Sequence, residues 1–312
     1  MLFLSDRDVQ ALLSPPQMLL ALEAGLRSYS TGATSIPPRT AARTPSGLLG
    51  AMPGWVAGAG LVIKAVSVFP GNADRGQPSH QGVIAVFDEQ DGTPLCVMDA
   101  AHITAMRTGG VAAVSVRMLA RADATVLAIL GAGVQGRSHL ATVPLVRDFQ
   151  IIRVASRNPQ RGEQLAALDP RGIVVETFEE AIRGADVVCC CTDTRVPITR
   201  HDWFKAGAHL TSVGGTFGPE VDPQTIRLGR VFVEWRGAAE NPPPAGAHEL
   251  QGRDPRTIDE LGEVLTGLRP GRRTADEITV YKATGSAFED AVVARMIFDA
   301  AVAAGAGTVV DL

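Results

Sequence analysis

The segment Gly131-Ala132-Gly133-Val134-Gln135-Gly136 has the residue types and spacing of a phosphate cradle. Its first glycine permits a tight turn. The second lets the backbone approach a pyrophosphate, and the third lets a helix sit close to a strand. Such a loop needs an apolar strand before it and a helix after it. Thr125 to Leu130 (TVLAIL) reads as that strand, and Val134 to Val146 as that helix. The free N–H groups and positive dipole end of the helix would hold the phosphates. Gly131, Gly133, Val134, Gln135 and Gly136 are therefore expected to bind a dinucleotide. The bland alternative is a glycine-rich turn that binds nothing. The end of the second strand reads the cofactor type. An NAD enzyme usually carries Asp or Glu there for the ribose hydroxyls. Here Ser156-Arg157-Asn158 and then Arg161 follow the strand, with no acid in position. A guanidinium suits a 2′-phosphate by charge and by its fork of donors. NADP(H) is thus favoured, with NAD(H) as the alternative. A merely solvated Arg157 is the reading without function.

A second set of charges stands in apolar surroundings. Lys64 lies in the middle of LVIKAVSVF, on one face with Val62, Val66 and Val68. An ammonium buried there needs a partner; otherwise it is an edge-strand lysine pointing to water. Arg107 opens a long apolar stretch, and Arg39 follows Pro37-Pro38 in a turn-like segment. Each alone reads as a surface arginine. Together the three could hold a carboxylate, arginine binding it with two parallel hydrogen bonds.

These residues must be positioned by two kinds of structure. Before residue 120 the chain reads as a helix from Ser14-Pro15, with a capping-box start and a stop at Gly32. A strand over Leu61 to Phe69 follows, then a hairpin of Val83 to Asp88 and Pro94 to Met98, then a buried helix over His102 to Ala120. Beyond it, strands and helices alternate. Strands are expected at 151–156, 172–177, 186–191, 209–213, 230–233 and 278–281, and helices at 160–168 and 287–304. That alternation implies an α/β fold with a doubly wound parallel sheet covered on both faces. Ala238 to Gly246, with its proline run, reads as a surface loop.

Composition narrows the function. The 312 residues suit two domains, and a net charge of −4 argues against a nucleic-acid partner. No long uncharged apolar run predicts a membrane span, and the N-terminus lacks the pattern of a signal peptide. Cys189, Cys190 and Cys191 stand in a row and are expected to pack as small hydrophobes. Cysteine usage fits a reducing, cytoplasmic setting. No histidine spacing suits a metal, so none is expected.

The chain resembles the ornithine cyclodeaminase/mu-crystallin family. The resemblance runs through Pro38-Arg39, Ala51-Met52-Pro53, Val62-Ile63-Lys64, Pro78-Ser79-His80-Gln81, Arg107-Thr108, Gly131 to His139, Leu261 to Val264 and Tyr281 to Asp290. Pro78-Ser79-His80-Gln81 and Gly133 to His139 look closer to the mu-crystallin branch than to the ornithine enzyme. The resemblance implies a Rossmann domain over 116–288. It also implies a split α+β domain over 1–115 and 289–312 for substrate binding and homodimer contact. Carried over, Lys64 and Arg107 would be catalytic. Arg39, Met52, Thr108 and Thr216 would line the substrate site, and Thr192 would lie near the nicotinamide.

One departure bears on the reaction. Deaminating members carry an aspartate where this chain has Thr216, in Gly214-Gly215-Thr216-Phe217. A hydroxyl does not act as a carboxylate base near neutral pH. Members with a small residue there resemble ketimine reductases. The resulting expectation is an NAD(P)H-dependent reductase of a cyclic imino acid of the Δ1-pyrroline-2-carboxylate or Δ1-piperideine-2-carboxylate type. The rivals are an ornithine cyclodeaminase or alanine dehydrogenase, and a mu-crystallin-like protein that binds NADPH and a small ligand with little turnover.

Overall fold

A computed structural model describes residues 1–311, apart from Thr216 and Phe217 and the side chains of Ala73 and Asp74. The chain forms two compact units, Met1–Arg107 with Ser286–Leu312, and Thr108–Gly285. In the first part of the chain lie strands β1 (Leu2–Leu4), β2 (Thr34–Ser35), β3 (Thr40–Thr44), β4 (Gly47–Val56), β5 (Gly60–Val68), β6 (His80–Phe87) and β7 (Pro94–Asp99). Helices α1 (Asp6–Leu12) and α2 (Pro15–Ser30) belong with them, and α3 (Ala101–Leu119) leads into the second unit. That unit contains β8 (Val126–Leu130), β9 (Ile151–Ala155), β10 (Gly172–Val174), β11 (Val187–Cys190), β12 (His209–Ser212), β13 (Arg230–Val233), β14 (Asp259–Glu260) and β15 (Thr279–Lys282). Its helices are α4 (Val134–Thr142), α5 (Pro159–Ala166), α6 (Phe178–Ile182), α7 (Pro223–Leu228), α8 (Gly237–Glu240) and α9 (Leu261–Leu265). The chain then returns to the first unit with α10 (Ala287–Ala304) and β16 (Thr308–Val309).

The first unit is a mixed sheet of order β16-β1-β7-β6-β5-β4-β2, with β3 also paired to β4. Strands β4 to β7 form an antiparallel meander, and the period-two rule gives it two distinct faces. Met52, Lys64, Ile84 and Met98 form one cross-strand row on the inner face, and all four are buried. Helix α10 covers the inner face, with α2 packed on it. Its first two turns are buried all round, Ala287 to Ala294. Gly25 makes that packing close, since a Cβ there would lie 3.1 Å from Val292 Cγ1. Tyr29 stacks on Phe288 with ring centroids 5.1 Å apart.

The second unit is a doubly wound parallel sheet of order β10-β9-β8-β11-β12-β15-β13-β14. β11 is buried on both faces, which explains its run of Val187, Val188, Cys189 and Cys190. Gly109 has a packing role. A Cβ there would lie 2.8 Å from Ser138 C and O of α4, so only glycine lets α3 and α4 meet this closely.

Several expectations need correction. Ser14 precedes α2 but its side chain makes no capping hydrogen bond. Pro15 and Pro16 lack N–H groups, so the hydroxyl finds few donors to accept from. The helix expected over 134–146 ends at Thr142 and tightens into a 3-10 turn at Val143–Leu145, around Pro144. The strand expected over 172–177 stops at Val174. Ala238 and Ala239 lie buried in α8 rather than in a surface loop. β4 was not anticipated, because Gly50, Pro53 and Gly54 break its pattern. No helix among the described residues is long and apolar enough to cross a membrane.

Candidate active site

Lys64 lies on β5, paired with β4 on one side and β6 on the other. It is therefore not an edge residue. Strand alternation turns it to the inner face, where it is 2% exposed. Its ammonium is met by α10, with Nζ 2.8 Å from Asp290 Oδ2. Nζ also donates to Thr104 Oγ1 at 3.4 Å. Arg107 reaches the same helix. Its Nη1 donates to Glu289 Oε2 at 2.5 Å and its Nε to Asp290 Oδ1 at 3.2 Å. One carboxylate thus holds both cations.

Burial lowers the Lys64 pKa to about 8. The Asp290 charge opposes that shift, while Arg107 and Arg39 add to it. Burial pushes the Asp290 carboxyl up, but Lys64 and Arg107 outweigh it and hold the group below its ordinary value. His80, at the start of β6, is lowered by burial and then by the Lys64 charge. Arg39 is half-buried immediately before β3, close enough for its field to reach Lys64. Met52 is the cross-strand neighbour of Lys64 and is buried beside it. Lys64 and Arg107 are held by Asp290 and Glu289, and Arg39 brings a third cation within electrostatic reach of Lys64. Cations gathered in this way suit a carboxylate ligand.

Glu289 and Asp290 had been assigned no role from the sequence. Their signal was present, as two adjacent acids in the first turn of a largely apolar helix. Thr108 follows Arg107 on α3 and is half-buried. Thr216 lies outside the described residues.

The second unit carries the glycine loop between β8 and α4. Gly131 has φ +107°, and a Cβ there would lie 2.7 Å from Cys191 O. At Gly136 a Cβ would overlap Gly131 O. Gly133 caps α4, with nothing within 4 Å of its Cβ position and no side-chain hydrogen bond to the first turn. Gly133 and Val134 are exposed and Gln135 is half-buried. An open cradle with free first-turn N–H groups fits a pyrophosphate.

Ser156, Arg157 and Asn158 follow β9, and Arg161 lies in the first turn of α5. Asn158 also has a structural task, since its side chain accepts from Arg161 N and caps α5. Arg157 is exposed and donates to Asp193 at 3.3 Å. Thr192 follows β11 and is half-buried, beside Gly131. Among the described residues no three His, Cys, Asp or Glu gather as a metal would require.

Residues 1–305 match the profile of the ornithine cyclodeaminase/mu-crystallin family. The chain belongs to this family. Ketimine reductase mu-crystallin of Mus musculus is 34% identical over 307 residues, covering 95% of this chain and 96% of that protein. The structure of Thermococcus litoralis Δ1-pyrroline-2-carboxylate reductase, in complex with NADH and L-proline, has a TM-score of 0.93 and 32% identity, covering 99% and 100% of the two chains. An archaeal alanine dehydrogenase dimer with bound NAD has a TM-score of 0.89 and 27% identity, covering 99% and 98%. The family's α/β fold extends over the whole chain.

Proposed function

We propose that this protein reduces a cyclic imino acid, with Δ1-pyrroline-2-carboxylate or Δ1-piperideine-2-carboxylate as substrate. As a family member it is an NAD(P)-dependent oxidoreductase acting on C–N or C=N bonds. The observation that carries the finer reading is the buried charge cluster of Lys64, Arg107, Glu289 and Asp290, with Arg39 nearby. The cations gathered there, two of them arginines, suit a substrate carboxylate. Arg107 and Arg39 orient that carboxylate, while Asp290 fixes the direction in which Lys64 and Arg107 point. Lys64 holds a proton at Nζ for the imine nitrogen, and Met52 and Thr108 line the site. The bound reduced nicotinamide supplies the hydride. The imine carbon gains that hydride, the nitrogen keeps or gains a proton, and the C=N bond becomes a C–N bond. Positioning is the main contribution of the chain. Thr216 in place of an aspartate supports the reducing direction, because a protonated imine needs no carboxylate base. Gly131 to Gly136 and Thr192 hold the dinucleotide, and Arg157 with Arg161 favours NADPH over NADH. The working form is a homodimer in the cytoplasm.

The test is loss of dihydronicotinamide absorbance with each imine, run with NADPH and with NADH, beside alanine and ornithine as oxidative substrates. Turnover of an imine, with a lower KM for NADPH, is expected. Conversion of alanine or ornithine with neither imine reduced would overturn the reading in favour of a deaminating enzyme. Tight NADPH binding without any turnover would make it a binding protein.

A further inference from the structure

A second buried charge network lies in the dinucleotide-binding unit, and the reaction does not call on it. Lys282, the last residue of β15, is 0% exposed. Its Nζ donates to Ser212 Oγ at 2.8 Å and to Gly214 O at 2.8 Å, and lies 3.1 Å from Glu249 Oε1. Glu220, also 0% exposed, accepts from Thr192 N at 2.6 Å, Thr192 Oγ1 at 2.7 Å, Ser212 Oγ at 2.7 Å and Gly214 N at 3.0 Å. Glu249 Oε1 in turn accepts from Glu220 N at 2.6 Å.

The peptide groups flanking Gly214 are therefore held from both sides, the N–H by a carboxylate and the carbonyl by an ammonium. Gly215 follows at φ +100°, where a Cβ would lie 3.0 Å from Lys282 Nζ. The network ties together the carboxyl ends of β11, β12 and β15, which are neighbours in the parallel sheet. Sheet order reverses between β8 and β11, so a dinucleotide lies across the strand ends at that point. Its adenosine half belongs over β9, where Arg157 stands. The β11, β12 and β15 ends are left for the nicotinamide half.

We propose that Lys282, with Glu220 and Glu249, positions the nicotinamide ring by fixing Thr192 and the Gly214–Gly215 backbone as one rigid wall. This rests on the nicotinamide-enzyme reading above. Lys282 is a positioning residue and touches no reacting atom. Buried charges are an expensive way to hold a loop, since each must be desolvated and fully paired. What they provide here is a peptide segment fixed at both its donor and its acceptor.

The test separates the two halves of the cofactor. ADP-ribose lacks the nicotinamide. Lys282→Met/Glu249→Gln removes the buried ion pair together and leaves Glu220 on its four hydrogen bonds. In the variant, ADP-ribose affinity is expected to stay within about twofold, while the excess affinity for NADH over ADP-ribose falls roughly tenfold. With an imine substrate, kcat falls while the KM for the imine holds. An unchanged NADH to ADP-ribose ratio, or an equal loss of both affinities, would overturn the proposal. If the double variant does not fold, Ser212→Ala removes the hydroxyl between Lys282 and Glu220 without a charge change, and the same ratio decides. The binding comparison needs no substrate. A wild type that binds NADH but reduces no imine would sink the substrate reading and leave this test intact.

Discussion

At the scale of single residues, the decisive quantity is the protonation state of Lys64. Burial lowers it to about 8, and only Asp290 keeps it from falling further. The protonated form is the one that contributes a positive charge to the carboxylate site and holds a proton for the imine. It is present below the folded pKa and lost as pH rises through it. The expected kcat/KM profile therefore falls above pH about 8. The free imine substrate also loses a proton on the alkaline side, so a control is needed. Lys64→Met lowers kcat/KM by roughly a hundredfold, the scale of one proton-transferring group, and abolishes the enzyme's limb while sparing the substrate's. A Lys64→Met profile with wild-type rate and shape would remove lysine from the mechanism. The cluster around Lys64 was half legible in the sequence. Lys64 and Arg107 stood out as charges among apolar neighbours. Their partner did not, because Asp290 is more than 180 residues from Arg107 and only tertiary packing joins them.

At the scale of elements, two glycines on the same helix pairing show how packing and binding separate. Gly109 on α3 abuts the backbone of α4, where a Cβ would lie 2.8 Å from Ser138 C and O. Backbone cannot rotate away as a side chain can. Gly109→Ala gains about 1 kcal/mol of helix propensity. It loses roughly 1–3 kcal/mol to overpacking, so strain wins and thermal unfolding moves down. The shift of α4 also disturbs the cradle at its N-terminus, and dinucleotide affinity falls with it. Gly133 is the opposite case. Nothing lies within 4 Å of its Cβ position, and its φ is −88°. Gly133→Ala should leave the unfolding midpoint unchanged and still weaken NADH binding, since the added methyl fills the space a pyrophosphate needs. Calorimetry and NADH titration on both variants check the pair; equal stability losses would refute the distinction. The glycine loop, β8 and most of the parallel sheet were legible because their signals are local, in apolar runs and turn residues. β4 and the role of Gly109 were not. A strand carrying Gly50, Pro53 and Gly54 is made by its neighbours' hydrogen bonds, and the need for a bare Cα is set by another helix.

At the scale of the whole molecule, the first sheet leaves a question of solvent. Its inner face is covered by α10, but its outer face keeps Leu49 at 53% exposure, Leu61 at 40%, Ile63 at 37% and Val83 at 43%. The register puts all four on one face: Leu61, Ile63 and Ser67 share a face of β5, Ser67 opposes Leu49, and Ala65 opposes Val83. Exposed apolar residues spread over one sheet face suit an association surface. A second copy of the same chain, related by a two-fold axis, would present the same face and bury both at once. We therefore expect light scattering to give twice the 32.7 kDa of one chain. Ile63→Lys places a charge in the centre of that face. The strand alternation keeps it off the Lys64 side, so the fold and the charge cluster persist while the dimer dissociates. A wild type that runs at the mass of a single chain, or an Ile63→Lys variant that remains dimeric, would move the contact elsewhere.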